Sequence, residues 1–234
     1  MKNDLAKRAA AESIGTCLLV MAVVGSGVMA SRLSPNDVGL QLLQNSLATG
    51  AALVALILAL QPVSASFNPV VTFAERALGM IDTRTAAVLA SAQVLGGLAG
   101  TVAANLMFGL DAASVSTHER SGPGLWLGEV IATAGLLVIV FGTVRSGRAD
   151  RVAFAVGGYI TAAYWFTSST NFANPAVTIA RTITDTFAGI APASAPGFIL
   201  SQLAGGILGF ALIRFLYPVP SASADAAADR KVLT

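Results

Sequence analysis

The sequence is poor in charge. Asp, Glu, Lys and Arg make up only 11% of its 234 residues, whereas 55% are hydrophobic. Soluble domains carry about 25% charged residues, so this composition excludes an ordinary soluble domain and indicates a membrane protein. The sequence pI near 9.0 reflects where the cations lie relative to the membrane, and we expect no nucleic-acid partner.

Cysteine and histidine are almost absent. Cys17 and His118 are the single examples of each, so no disulfide within the chain is possible. No nucleophile–base pair, metal cluster or phosphate-binding loop is visible. We therefore expect no enzyme activity, no catalytic residues, no metal and no cofactor.

Long apolar runs are the main feature that is present. Each approaches the roughly 20 residues that cross a hydrocarbon core. If the runs are six spans, 11 of the 14 Lys and Arg residues fall on one side. The positive-inside rule then places both termini in the cytoplasm. The runs cover about 9–30, 39–61, 85–108, 125–145, 152–168 and 198–217.

A short phrase occurs twice, as NPVVTFAER from Asn68 and as NPAVTIART from Asn174. Further pairs of residues recur with it, so the repeat extends over most of the chain. An acidic residue opens the first and fourth runs, and a glutamine followed by glycines at matching spacing lies in the third and sixth. These pairs are Glu12 and Glu129, and Gln93 and Gln202.

The repeat divides the chain into halves of about 1–110 and 122–217 within one domain, 1–220. Each half has three spans, and three is odd, so the second half must be inverted relative to the first. Many channels and transporters have this architecture. The remaining residues, 221–234, are polar and are expected to form a disordered cytoplasmic tail.

Each repeated phrase is predicted to be a half-helix. Asn is a preferred N-cap and Pro is favoured at the first helical position. About 10 helical residues reach about 15 Å, half of the core thickness. Two such half-helices entering from opposite faces would meet near the midplane, with the amide NH2 groups of Asn68 and Asn174 free to face a permeant molecule.

These features resemble the major intrinsic protein family, the aquaporins and aquaglyceroporins. The resemblance implies an all-α fold of six transmembrane helices and two re-entrant half-helices, in a right-handed bundle with an inverted repeat. It also implies a homotetramer in the bilayer with one pore per subunit. The implied pore motifs are Asn68, Pro69 and Val70, and Asn174, Pro175 and Ala176.

The sequence departs from the family at the pore. Val70 stands where Ala is common, and Val177 stands where most relatives place the filter Arg. Arg181 follows one helical turn later, in register with Glu75, and a role on the helix surface is favoured over one in the pore. The remaining filter positions align as Thr49, with Ala48 as the alternative, Ala163 and Phe172.

Other residues are open to two interpretations. Glu12 and Glu129 could carry protons, but the resemblance favours hydrogen bonding to the re-entrant loops, with Gln93 and Gln202 in a similar role. Tyr164 and Trp165 lie beside the pore or fill helix packing, and neither alternative is preferred.

The filter of Thr49, Ala163, Phe172 and Val177 would be wide and apolar. The chain therefore resembles the solute-conducting branch, and a bacterial subgroup associated with arsenic detoxification. This implies a passive inner-membrane channel for water and small neutral solutes such as glycerol, urea, arsenite or methylated arsenicals. The alternatives are a water-dominated channel and, less favoured, a secondary transporter.

Overall fold

The computed structural model describes residues 5–218, so the predicted tail at 221–234 lies outside the described part. Within 5–218 the secondary structure is helical and contains no strand. The helices are α1 (Leu5–Leu33), α2 (Val38–Leu60), α3 (Pro69–Ala77), α4 (Thr83–Met107), α5 (Pro123–Arg145), α6 (Val152–Phe166), α7 (Pro175–Ala180) and α8 (Ala195–Leu216).

Five helices, α1, α2, α4, α5 and α8, are long and apolar enough to cross a membrane. The sixth long helix, α6, has only 15 residues, about 22 Å of helix, and a 3-10 turn at Ala149–Arg151 precedes it. The run predicted over 152–168 therefore ends earlier as a helix, because the chain extends from Thr167 toward the second asparagine.

The two short helices, α3 and α7, begin as the sequence predicts. Asn68 and Asn174 are extended N-cap residues, and the prolines after them occupy the first helical positions. A proline at that position loses no hydrogen bond, because the first amides of a helix have no partner within it. Helix α7 is followed directly by a 3-10 turn at Arg181–Ile183, so the two half-helical segments have similar lengths.

The contacts between helices give their directions: α4 runs parallel to α1, because Gly96 and Gly100 meet Ser13 and Cys17 in the same order, and α8 runs parallel to α5 in the same way. Successive long helices therefore run in opposite directions. We call the side where α1 begins and α8 ends the terminal face. The opposite face carries the connections 108–122 and 181–194. From its asparagine, α3 runs toward the terminal face and α7 toward the opposite face, as an inverted repeat requires.

Two close helix pairs, α1 with α4 in the first half and α5 with α8 in the second, hold each half together. A Cβ on Gly100 would collide with the carbonyl of Cys17, and a Cβ on Gly209 would lie 2.9 Å from the carbonyl of Ala134. These contacts correspond in the repeat. Small residues let membrane helices approach until their backbones touch, which explains the recurring glycine spacing.

A second pair of glycines, Gly97 and Gly206, packs each half against the half-helix of the other. A Cβ on Gly97 would lie 3.2 Å from the Cβ of Ala180 in α7, and one on Gly206 would lie 2.6 Å from Cγ1 of Val70 in α3. The unusual Val70 therefore fills the space that the missing side chain of Gly206 leaves.

Large apolar side chains cover the outside of the bundle. Phe215 is 82% exposed and Ile207 is 73% exposed, which a soluble protein would avoid as a contiguous surface. Together with the long apolar helices, this surface fits a multi-pass membrane protein. The predicted fold class, six long helices and two half-helices in an inverted repeat, is confirmed.

Candidate functional site

One cavity of about 300 Å³ passes both asparagines and extends toward the two faces. Arg8 and Met80 line its end at the terminal face. Phe172 and Arg181 line its end at the opposite face. Much of the wall between them is aliphatic, contributed by α1, α2, α5 and α6.

The two asparagines hold the half-helices together at the middle of the cavity. Oδ1 of Asn68 accepts the backbone N–H of Val70 at 3.0 Å, and Oδ1 of Asn174 accepts that of Ala176 at 3.0 Å. Each acceptor is thus used by its own helix, as the cap predicts. The amide nitrogens are the only donors that the side chains have left.

The amide NH2 groups of Asn68 and Asn174 are not fully free, and that prediction is wrong for one proton of each. Nδ2 of Asn68 donates to the carbonyl of Ala173 at 2.7 Å, and Nδ2 of Asn174 donates to that of Phe67 at 2.7 Å. An amide nitrogen has two N–H donors, so each side chain keeps one donor for the cavity. The crossed bonds also fix the relative position of the two half-helices.

Glu12 is completely buried and braces the first re-entrant loop. Oε1 accepts the hydroxyl of Ser64 at 2.6 Å and the backbone N–H of Ser66 at 2.8 Å. Oε2 accepts the backbone N–H of Phe67 at 2.7 Å and the amide of Gln93 at 2.8 Å. A buried carboxylate is tolerated when such donors surround it.

Glu129, also fully buried, does the same for the second loop with four donors, one of which is the hydroxyl of Ser169. The backbone N–H groups of Phe172 and Ala173 donate to it at 2.9 and 2.8 Å, and the amide of Gln202 at 2.6 Å. Phe67 and Ala173 have φ values of 49° and 46°, a left-handed conformation that costs free energy in residues with a side chain. The carboxylates stabilise the two loops at these positions.

Three of the residues aligned with the filter, Thr49, Phe172 and Val177, line the cavity. Ala163 is fully buried and is not among the lining residues. The next residue, Tyr164, lines the cavity instead, and its hydroxyl lies 3.2 Å from Oγ1 of Thr49. Of the two alternatives for Tyr164, a place beside the pore and a place in helix packing, the structure therefore shows the first.

Arg181 does not lie on the helix surface, and that interpretation is wrong. Its side chain is 3% exposed and lines the cavity. Nε donates to the carbonyl of Ala188, and the guanidinium carbon lies 3.5 Å from the centroid of the Phe172 ring. Because α7 ends at Ala180, the chain turns there and carries the side chain inward.

Glu75 is a second cavity residue that motif reasoning did not select. It lines the cavity toward the terminal face, and its Oε1 accepts the hydroxyl of Ser66 at 3.0 Å. Glu75 and Arg181 each lie seven residues after their asparagine. That shared register was the available signal, because equivalent positions in an inverted repeat face the two ends of one cavity.

A cavity that passes two opposed half-helices within an inverted helical repeat defines a membrane channel. The profile of the major intrinsic protein family (MIP) matches residues 1–168. The chain is 48% identical over 214 residues to "Aquaglyceroporin AqpS" of Rhizobium meliloti (strain 1021), covering 91% of each chain. The chain therefore belongs to the major intrinsic protein family.

A solved structure gives the same fold. The aquaglyceroporin of Plasmodium falciparum matches with a TM-score of 0.72, covering 95% of this chain and 100% of its own. Its sequence identity to this chain is 20%, so the match concerns the fold and not the solute.

Proposed function

We propose that the chain is a passive channel for small uncharged solutes, with some water. The observation that carries the proposal is Val177, an aliphatic side chain in the cavity wall three residues after Asn174. A cation there would narrow the passage, whereas valine leaves it open and apolar. The name aquaglyceroporin of the 48% identical relative supports the same solute class.

The proposed filter consists of Thr49, Tyr164, Phe172 and Val177, with Tyr164 in the position expected of Ala163. Asn68 and Asn174 orient the solute through the one amide donor that each retains. Donors without matching acceptors favour neutral hydroxylated molecules and oppose cations. Glycerol, urea, arsenite and methylated arsenicals have the required size and neutrality.

A water-dominated channel is the second candidate, and two side chains favour it. Tyr164 and Arg181 both line the cavity near its end at the opposite face. Both are larger than the residues that the filter alignment assigns there. If they close the passage to glycerol, water alone would cross quickly.

The membrane arrangement is also proposed. The cation bias supports a cytoplasmic terminal face in a bacterial-type inner membrane, and the resemblance to the family supports a homotetramer. Crosslinking in membranes would test the tetramer. Protease access to residues 221–234 from the cytoplasmic side would test the orientation.

The function is tested by stopped-flow light scattering on proteoliposomes of the purified chain. Gradients of sucrose, glycerol, urea and arsenite are imposed in turn. We expect the proteoliposomes to reswell quickly with each of the three small solutes. Shrinkage in sucrose without solute entry would support the water-dominated channel, and flux that depends on a pH or sodium gradient would support a transporter.

A further inference from the structure

Arg181 is a buried cation without an ion-pair partner among residues 5–218. The ion pairs there within 4.0 Å are His118 with Asp185 and Arg151 with Asp150, and both are exposed. Burying a charge without a counter-charge is costly. A protein that retains such a charge in a cavity wall gains something other than stability from it.

The guanidinium of Arg181 is held by contacts that leave its charge in place. Nε donates to the carbonyl of Ala188, and the group stacks on the ring of Phe172. That ring packs edge-on against Phe198 at 5.0 Å, so it cannot easily rotate away. An aromatic face attracts a cation without neutralising it, which keeps the full charge at the cavity.

A neighbouring arginine, Arg120, has a different environment. It also lies against Phe172, at 5.3 Å, but its Nε and Nη2 donate to the carbonyls of Gly189 and Phe187 at 2.9 and 3.2 Å. Arg120 therefore anchors the 181–194 connection. Within residues 5–218, the side chain of Arg181 donates one hydrogen bond, from Nε to the carbonyl of Ala188. Its two terminal nitrogens are therefore available to the cavity.

We propose that Arg181 is the specificity-determining cation of this pore, one helical turn outward from Val177. Its guanidinium lies against the ring of Phe172, a residue of the proposed filter. From this position the charge repels cations and protons, while Val177 adds neither charge nor a long side chain to the narrow part. This inference rests on the proposed channel function.

The test measures ion leak and solute flux on the same proteoliposomes. Proton entry is followed with a trapped pH-sensitive dye under an imposed potential, and glycerol entry by reswelling. Arg181→Met removes the charge and keeps an unbranched chain, and Arg181→Lys keeps the charge. We expect Arg181→Met to raise proton flux at least about tenfold, because the electrostatic barrier is lost, while glycerol flux remains measurable and shows that the channel has folded. Arg181→Lys should remain close to the unaltered protein.

A matched control is Arg32→Met. Arg32 also lies on the opposite face, stacks on Phe108 at 5.2 Å and donates to a backbone carbonyl, but it does not line the cavity. It should leave both fluxes unchanged. The double variant Val177→Arg with Arg181→Met returns a cation to the pore and should suppress the leak of the single variant.

Three results would overturn the inference: an Arg181→Met channel that conducts glycerol without added proton leak, a leaky Arg181→Lys channel, or a double variant that still leaks. If Arg181→Met does not fold, Arg181→Lys decides the matter alone. Failure of the proposed function is a separate result, because it appears as absent glycerol flux in the unaltered protein.

Discussion

The two re-entrant segments, 64–77 and 170–183, share a scaffold and differ where they face the cavity. In both, an asparagine caps the half-helix and a buried glutamate holds two backbone amides of the loop. The equivalent residues Glu75 and Arg181, by contrast, place a carboxyl group and a guanidinium toward the two ends of one cavity. The repeated residues build the pore, and the residues that differ give its ends different chemistry.

The scaffold itself is not perfectly symmetric. The two carboxylates are matched, because each accepts two loop amides, one glutamine amide and one hydroxyl, from Ser64 at Glu12 and from Ser169 at Glu129. The first segment, however, contains Val70 against Gly206, where the second has Ala176 and Gly97. Substitutions at these residues should show how much each contact contributes to the stability of its half.

The largest effect is expected from Glu12→Ala. It leaves four buried donors without a partner, and unsatisfied buried groups cost about 1–3 kcal/mol each, so the protein should lose about 3 kcal/mol or more of stability. Glu129→Ala, which also leaves four donors without a partner, should lose about as much. Thermal unfolding in detergent measures both. Glu12→Gln and Glu129→Gln retain an acceptor and serve as controls, and a much smaller loss in one alanine variant than in the other would contradict the matched roles of the two carboxylates.

A smaller loss of stability is expected from Gly206→Ala. The new Cβ would meet Cγ1 of Val70, and overpacking a tight contact costs roughly 1–3 kcal/mol. Gly97→Ala should cost less, because its nearest neighbour lies at 3.2 Å. The same unfolding experiment applies.

The double variant Gly206→Ala with Val70→Ala supplies the control for the preceding pair. It should recover most of the stability that Gly206→Ala loses, because the smaller side chain restores the space. If the double variant instead loses as much stability as the two single variants combined, Val70 and Gly206 do not share that space. The valine would then stand in place of the usual alanine for another reason.

The smallest expected effect is a pH-dependent loss of local stability in the connections outside the membrane. Hydrogen bonds from the backbone and hydroxyl of Thr117 hold the pKa of Asp185 below its ordinary value. A carboxylate with a lowered folded pKa contributes stability above its unfolded pKa and loses it as pH falls through the folded pKa. Asp82, which caps α4 through Thr85, has a lowered pKa for the same reason.

Hydrogen exchange of the Thr117 amide measures that contribution. Relative to intrinsic exchange, its protection should fall as the pH decreases from about 6 to about 3. Asp185→Asn should remove this pH dependence and leave that of the Thr85 amide unchanged. Protection of Thr117 that is independent of pH in the unaltered protein would mean that the carboxylate does not hold the 108–122 connection.

Much of the fold could be predicted because the sequence repeats its own architectural residues. Asn68 and Asn174 predict two helix starts, and the matched glutamates and glycines predict an inverted pair of halves. Each signal depends on local capping or on spacing along one helix, which a sequence displays directly.

The site was predictable only in part, because the cavity is made by side chains from separate helices. Along α6 the alignment was wrong by one residue, because it assigned Ala163 to the filter and the next residue, Tyr164, lines the cavity. Arg181 was misassigned because a helical projection continued past Ala180, where α7 gives way to a 3-10 turn. The crossed bonds of the asparagines depend on the meeting of two distant loops, which no local pattern displays.

Val177 is proposed to leave the pore wide enough for solutes. The most direct measurement is the ratio of glycerol to water permeability in proteoliposomes, for the unaltered protein and for Val177→Arg, with Val177→Met as the uncharged control. We expect the ratio to fall at least about tenfold in Val177→Arg and less in Val177→Met, because a cation and added bulk narrow the passage. An unchanged ratio in a correctly folded Val177→Arg variant would mean that Val177 does not set the width of the pore.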